Sequence, residues 1–217
     1  MDKEKFLQKF IVDTKEEVSK LNYKKYFYQY SEQEKLVLAK EMKDIEIYFK
    51  KELELDVYPV YGTLLGMIRD DDFIGWDTDI DMAYFSKCQT EKAVLNEFNM
   101  ITNFLQSKGL LHYRIKTASH LHIYSPNKHL RIDLWISWLD KNNKYYLTWI
   151  FDGEFNSSIL LPFNKITFKN QEFLLMNNYE QHLNFNYGPN WKNPIAGEQK
   201  NWTPRKAVFR LEPWHGK

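Results

Sequence analysis

The chain has 217 residues, and 30 Lys and Arg against 29 Asp and Glu leave a net charge of +1. So even a balance offers no basic field for a polynucleotide, so nucleic acid is not an expected partner. The lone cysteine, Cys88, rules out an internal disulfide and a cysteine-built zinc site. No apolar run approaches the ~18 residues of a membrane span.

With 43% hydrophobic and 17% aromatic residues the chain can fill a substantial core, and one domain is expected. Its first residues, MDKEKF, mix acids and bases and do not read as a secretory signal, so a cytoplasmic protein is expected. SEQEKLVLAKEMKDIEIYFKKELEL opens on a Ser31/Glu34 capping box, and Leu38, Met42, Ile45 and Phe49 recur at helical spacing. DVYPVY is a short strand ending at Gly62, GTLLGMIR a short helix, RDDDFIGW a turn and IDMAYF a strand. TEKAVLNEFNMITNFLQSKG is a second helix closed by Gly109. Strands follow at LLHYRIK, HLHIY, LRIDLWISW and KYYLTWI, with turns at SPNK and DKNN. LLPFNKITF and QEFLLM form a hairpin, NYEQHLNFNYG a short helix, and the tail to Lys217 is irregular. The pattern predicts a mixed α+β domain: a helical segment over 1–54, a core over 55–195 and a tail over 196–217.

Asp77, Asp79 and Asp81 stand at every second position just where an apolar strand begins. Residues i and i+2 share a face of a strand, so Asp79 and Asp81 form a hard-oxygen pair suited to Mg²⁺ or Mn²⁺. A third acid, Asp133, is alone among Leu130, Ile132, Leu134 and Ile136, where an ionisable group is either paired or functional. A solvated acidic turn accounts for Asp70, Asp71 and Asp72 but poorly for Asp133. A calcium loop starting at Asp77 fails, because Met82 and Cys88 fill the positions that need Gly and Glu. Buried salt bridges to Arg69 and Arg131 are a structural alternative. Upstream, Gly62 and Thr63 open a helix whose N–H groups could cradle a phosphate, and Arg69 could grip the same group.

These residues carry a resemblance. Tyr61-Gly62-Thr63-Leu64-Leu65-Gly66-Met67-Ile68-Arg69, then Phe73-Ile74, then Trp76-Asp77-Thr78-Asp79-Ile80-Asp81 resemble the pattern of the LicD/fukutin-related phosphotransferases of the nucleotidyltransferase-fold superfamily. Tyr179, Leu183 and Tyr187-Gly188-x-x-Trp191-x-x-Pro194 resemble that family's closing segment. The resemblance implies a nucleotidyltransferase-like fold, with a mixed sheet flanked by helices. It implies that Asp79, Asp81 and Asp133 hold catalytic Mg²⁺ or Mn²⁺, that Asp77 supports them, and that Gly62, Thr63 and Arg69 hold donor phosphates. It also implies transfer of a phospho-alcohol from a CDP-linked donor, such as CDP-choline, CDP-ribitol or CDP-glycerol, to a sugar hydroxyl of a glycan, with release of CMP. Such acceptors are often lipid-linked at the inner membrane face, where the Lys-bearing LNYKKYFYQY could make peripheral contact. Thr78, at a position often acidic, and the absence of a proline near Met176-Asn177 depart from the pattern where substrate choice could differ.

A nucleotidyltransferase releasing pyrophosphate, and a non-catalytic binding module, are the competing functions. Trp76 and Trp191 are candidates to stack on a base, or simply to pack. Tyr187 and Gly188 either close over the donor or cap a helix. His120 and His122 form an H-x-H pair on one strand face; with neither Cys nor an obvious acid beside them, a polar cleft wall is expected rather than zinc. Cys88 is expected to be inert.

Overall fold

The computed structural model describes residues 25–114, 120–147 and 151–194. The predicted N-terminal segment before residue 25, the tail from 195, and Ile115, Lys116 and residues 148–150 of two predicted strands lie outside the described residues.

A single 3₁₀ turn, Phe27–Gln29, precedes α1 (Glu32–Leu53). The capping box forms as its spacing predicts: Glu34 N–H donates to the Ser31 hydroxyl at 3.3 Å, and Ser31 N–H donates to the Glu34 carboxylate at 2.7 Å. Then follow β1 (Asp56–Pro59), α2 (Tyr61–Arg69), β2 (Asp81–Ser86), α3 (Glu91–Ser107), β3 (Leu111–Arg114), β4 (His120–Tyr124) and β5 (Arg131–Leu139). The chain continues through β6 (Lys144–Leu147), β7 (Phe151–Asn156), the hairpin β8 (Asn164–Phe168) and β9 (Gln171–Leu175), and α4 (Tyr179–Tyr187).

Seven strands form one mixed sheet in the order β1-β2-β5-β4-β3, with β6 on β5 and β7 on β6. β2 and β5 run parallel, and the other pairs are antiparallel. Strand alternation divides the sheet into two apolar faces. Val57, Met82, Tyr84, Leu121, Ile123, Leu134 and Ile136 pack with the apolar stripes of α1 and α3. Tyr58, Ala83 and Trp135 pack on the other side with Leu64 and Leu65 of α2 and Leu183 of α4. Each fully buried aliphatic or aromatic side chain contributes roughly 1.5–3 kcal/mol, so both layers clamp the sheet firmly.

Two differences from the sequence reading have local causes. The first strand stops at Pro59 and α2 begins at Tyr61, which takes φ +47, so the helix starts earlier than the expected Gly62 turn. A strand at FDGEFN was not expected, because its charges and Gly153 obscure any alternation; β7 there pairs with β6 through a register shift.

Candidate active site

The sheet register assembles the site. Asp81 is opposite Asp133 in the parallel β2–β5 pair, and Asp133 is opposite His122 in the β5–β4 pair. Asp81, Asp133 and His122 therefore form one row across three adjacent strands. The next row along the same face is Ala83, Trp135 and His120. Asp79 lies just before β2, where Asp133 N–H donates to Ile80 C=O at 2.9 Å and extends the parallel pairing by one residue.

Asp79, Asp81 and Asp133 each offer an oxygen, and those oxygens lie within 4.8 Å of one another. Asp81 is only 6% exposed and is held from two directions. Trp135 Nε1 donates to its Oδ1 at 2.9 Å, and its own N–H donates to the Thr63 hydroxyl at 2.8 Å. Three carboxylates converging at a half-open strand end, one oxygen fixed by an indole, fit a hard divalent cation bound through oxygen. Two acids alone would leave that cation short of ligands; the parallel strand brings the third.

The residues expected around the acids are distributed as follows. Asp77 lies against the first turn of α2: a Cβ on Gly62 would meet Asp77 Oδ2 at 2.7 Å, so only glycine permits that approach. Thr63 is buried and its hydroxyl serves Asp81. Arg69 forms a two-pronged pair with Asp70, Nε to Oδ1 and a terminal nitrogen to Oδ2, both at 2.7 Å. Tyr187 ends α4 half-buried, and desolvation together with the charges of Asp81, Asp77 and Asp79 raises its hydroxyl pKa, against a smaller opposing effect of Arg69. Its hydroxyl therefore stays protonated at neutral pH. Gly188 follows at φ +84 as the helix cap. Trp191 is 7% exposed and packs into the core on the α2–α4 side, away from solvent.

Trp76 does the opposite. It is 75% exposed, its ring 4.5 Å from Tyr28 and 5.9 Å from Tyr26, so three solvent-facing rings form a platform one residue from Asp77. Backbone hydrogen bonds from Tyr28 N–H to Gly75 C=O and from Phe27 N–H to Asp77 C=O, both 2.9 Å, lock the platform to the loop that carries the acids.

Sequence reasoning did not assign four residues to the site. Arg131 lines a small pocket with Thr78, Asp79 and Asp133, and its place two residues before Asp133 on the same strand was the available signal. Trp135, two residues after Asp133, was legible by the same rule. Phe27 and Tyr30, which close the pocket from the N-terminal side, had no such signal. The His120–His122 pair is not isolated: the nitrogen of His122 and the carboxylate of Asp133 approach to 2.5 Å, and the His120 ring stacks on Trp135 at 4.1 Å.

A mixed sheet whose parallel pair, with the residue leading into it, gathers three acids beside a helix N-terminus has the arrangement of a nucleotidyltransferase-like domain. A family model described as LicD/FKTN/FKRP, nucleotidyltransferase domain, matches residues 54–178, more than half of the chain. The chain belongs to that family. It is 26% identical over 136 residues to ribitol 5-phosphate transferase FKRP of Mus musculus, a match covering 59% of this chain and 26% of that protein. Thus the alignment spans about a quarter of the length of that relative. Among solved structures it is similar to a STING-associated CdnE c-di-GMP synthase from Capnocytophaga granulosa, with a TM-score of 0.37, 14% identity, and coverage of 54% of this chain and 39% of the synthase. Among the described residues no helix is long and apolar enough to cross a membrane.

Proposed function

We propose that the chain transfers a phospho-alcohol from a CDP-linked donor to a sugar hydroxyl of a glycan and releases CMP. The observation that carries this reading is the convergence of Asp79, Asp81 and Asp133 at the start of the parallel β2–β5 pair, in a chain of the LicD/FKTN/FKRP family. Asp79, Asp81 and Asp133 would hold Mg²⁺ or Mn²⁺, and when bound such an ion neutralises charge on the diphosphate and its leaving group.

The chain's own residues perform the positioning. Trp135 and the Thr63 hydroxyl hold Asp81 in one orientation, so little rearrangement accompanies reaction. Arg131, which lines the pocket with Asp79 and Asp133, would meet donor phosphates, and Arg69 would join it by exchanging its hold on Asp70. The Tyr187 hydroxyl, kept protonated by burial and by the charges of the nearby acids, would be a further donor to the same phosphates. Tyr26, Tyr28 and Trp76 offer ring faces on which the apolar C–H side of an acceptor sugar can stack, beside the acids that its hydroxyl must reach. Asp133 is the carboxylate placed to take the proton of that hydroxyl. A lipid-linked glycan at the inner face of a membrane fits such a surface-facing platform.

The test is product release from the purified chain with Mg²⁺ or Mn²⁺ and a panel of CDP-ribitol, CDP-choline, CDP-glycerol, CDP-ethanolamine, CTP, UTP and ATP. The name of the mouse relative puts CDP-ribitol first. CMP from one CDP-alcohol, lost in folded Asp79→Asn and Asp133→Asn variants, is the expected result. Pyrophosphate from a nucleoside triphosphate would replace this reading with nucleotidyl transfer, to which the nucleotidyltransferase domain of the family model is equally suited.

A further inference from the structure

The H-x-H pair of β4 was set aside in the sequence for want of an acidic partner, and the β4–β5 register supplies one. His122 lies directly opposite Asp133, and His120 is two residues along the same strand face. One nitrogen from each histidine and one oxygen of Asp133 lie within 4.8 Å of one another. We propose that His120, His122 and Asp133 form a second cation site, of two imidazoles and one carboxylate, that takes a divalent transition metal of the zinc class and shares Asp133 with the three-carboxylate site.

Ligand chemistry separates the two sites. Asp79, Asp81 and Asp133 present oxygen alone, the set preferred by Mg²⁺. Two imidazole nitrogens with one carboxylate are the set preferred by Zn²⁺, with Mn²⁺ or Co²⁺ weaker occupants. A carboxylate with two oxygens can face both, and paired cations in phosphoryl-transfer sites typically lie about 3.5–4 Å apart.

The histidines are prepared for this role. His120 is 3% exposed, held inside the fold beside the acid row. Stacking on Trp135 at 4.1 Å fixes its plane, and the same Trp135 fixes Asp81 through its N–H, so one indole braces both sites. His122 Nδ1 approaches Asp133 Oδ1 to 2.5 Å, yet the pair lacks hydrogen-bond geometry. His122 retains 20% side-chain exposure, a route by which an ion can enter. A plain His122–Asp133 ion pair would explain the closeness of those two groups. It would not explain a second histidine whose nitrogen is brought within 4.8 Å of the same carboxylate.

The site shares Asp133 with the transfer reaction proposed above, but its test needs neither donor nor turnover. The full chain, stripped with chelator, is equilibrated with Zn²⁺ in excess Mg²⁺, and bound zinc is counted by mass spectrometry. Co²⁺ is added separately, and its visible absorption reports nitrogen coordination. One equivalent of zinc is expected in the native chain and in Asp79→Asn, which alters only the oxygen site. His122→Gln, at a partly exposed position that should tolerate the change, is expected to weaken zinc more than about tenfold and to alter the cobalt spectrum. Absence of zinc from the native chain would overturn the proposal. So would undiminished affinity in folded His122→Gln, or a cobalt spectrum identical in the two proteins. CMP release in Mg²⁺ alone is scored independently, so zinc binding without CMP, or CMP without zinc binding, shows which of the two proposals has failed.

Discussion

At the scale of single residues, the site depends on how close a carboxylate can come to a helix. Asp77 Oδ2 occupies the place where a Cβ on residue 62 would be, at 2.7 Å, and so close a contact must be relieved by movement. Asp77 is the member that can yield, because its neighbours Trp76 and Thr78 are exposed. Gly62→Ala is therefore expected to displace the loop that leads into Asp79 and to cut CMP release by an order of magnitude or more. Its cost in stability should be about 1–2 kcal/mol, within the usual range for overpacking. Turnover measured beside a urea denaturation curve checks this. Unchanged turnover would mean that the position of Asp77 has no bearing on the acids. The three carboxylates themselves were legible in the sequence because an acid inside an apolar strand is costly and must be explained. The partnership of His122 with Asp133 was not legible. It depends on the register between β4 and β5, which no local pattern specifies when both strands are apolar on one face and mixed on the other.

At the scale of elements, ion pairs and rings tie the site loop to the rest of the fold. Lys35 of α1 is 7% exposed and pairs with both Glu32 and Asp72, the latter in the loop between α2 and β2. Lys169, in the turn between β8 and β9, reaches Glu32 at 2.7 Å and Asp72 at 3.1 Å. Burial alone would raise the carboxyl of Asp72, but hydrogen bonds from the two lysines outweigh it and hold its pKa below the usual value. One helix, one loop and one hairpin thus meet at four charges. Lys35→Met keeps the apolar stem while removing the charge, and it is expected to cost about 1–3 kcal/mol, since it leaves Asp72 half its counter-charge. A denaturation midpoint equal to that of the native chain would show that the network contributes nothing. The aromatic platform yields the opposite expectation. Because Trp76 is 75% exposed, Trp76→Ala should change stability by no more than about 0.5 kcal/mol. If the platform holds the acceptor sugar, KM for the acceptor should rise several-fold while KM for the donor stays put. A rise in donor KM instead would move the platform to the base. Elements with strong periodicity, such as α1 and α3, were legible in the sequence. β7 was not, since a partner strand rather than its own pattern keeps FDGEFN extended.

At the scale of the whole molecule, acid sensitivity follows from what the α2–α4 layer buries. His182 of α4 is fully buried, with Asn186 2.9 Å from its Nε2 and the ring of Tyr61 6.4 Å away. Desolvation lowers its pKa from 6.5 to about 3. The sign follows directly: the unfolded chain takes up this proton near pH 6.5, whereas the folded chain refuses it until about pH 3. His182 therefore contributes stability fully above pH 6.5, and the contribution is lost as pH falls toward the folded-state value. The slope is at most about 1.4 kcal/mol per pH unit. His120 acts in the same direction, its folded-state value lying near 4. Glu46 and Glu97 act in the opposite direction, because burial raises their carboxyls and acid relieves the charge. A single melting curve against pH would mix these contributions, so the decisive quantity is a difference. His182→Gln keeps a hydrogen-bonding side chain of similar size but does not titrate. It should be less stable than the native chain at pH 7.5, and the gap should narrow steadily as pH falls from 6.5 toward 4. A gap independent of pH would mean that His182 takes up its proton in the fold as readily as in the unfolded chain. The α2–α4 layer behind the acids would then be more hydrated than its packing indicates.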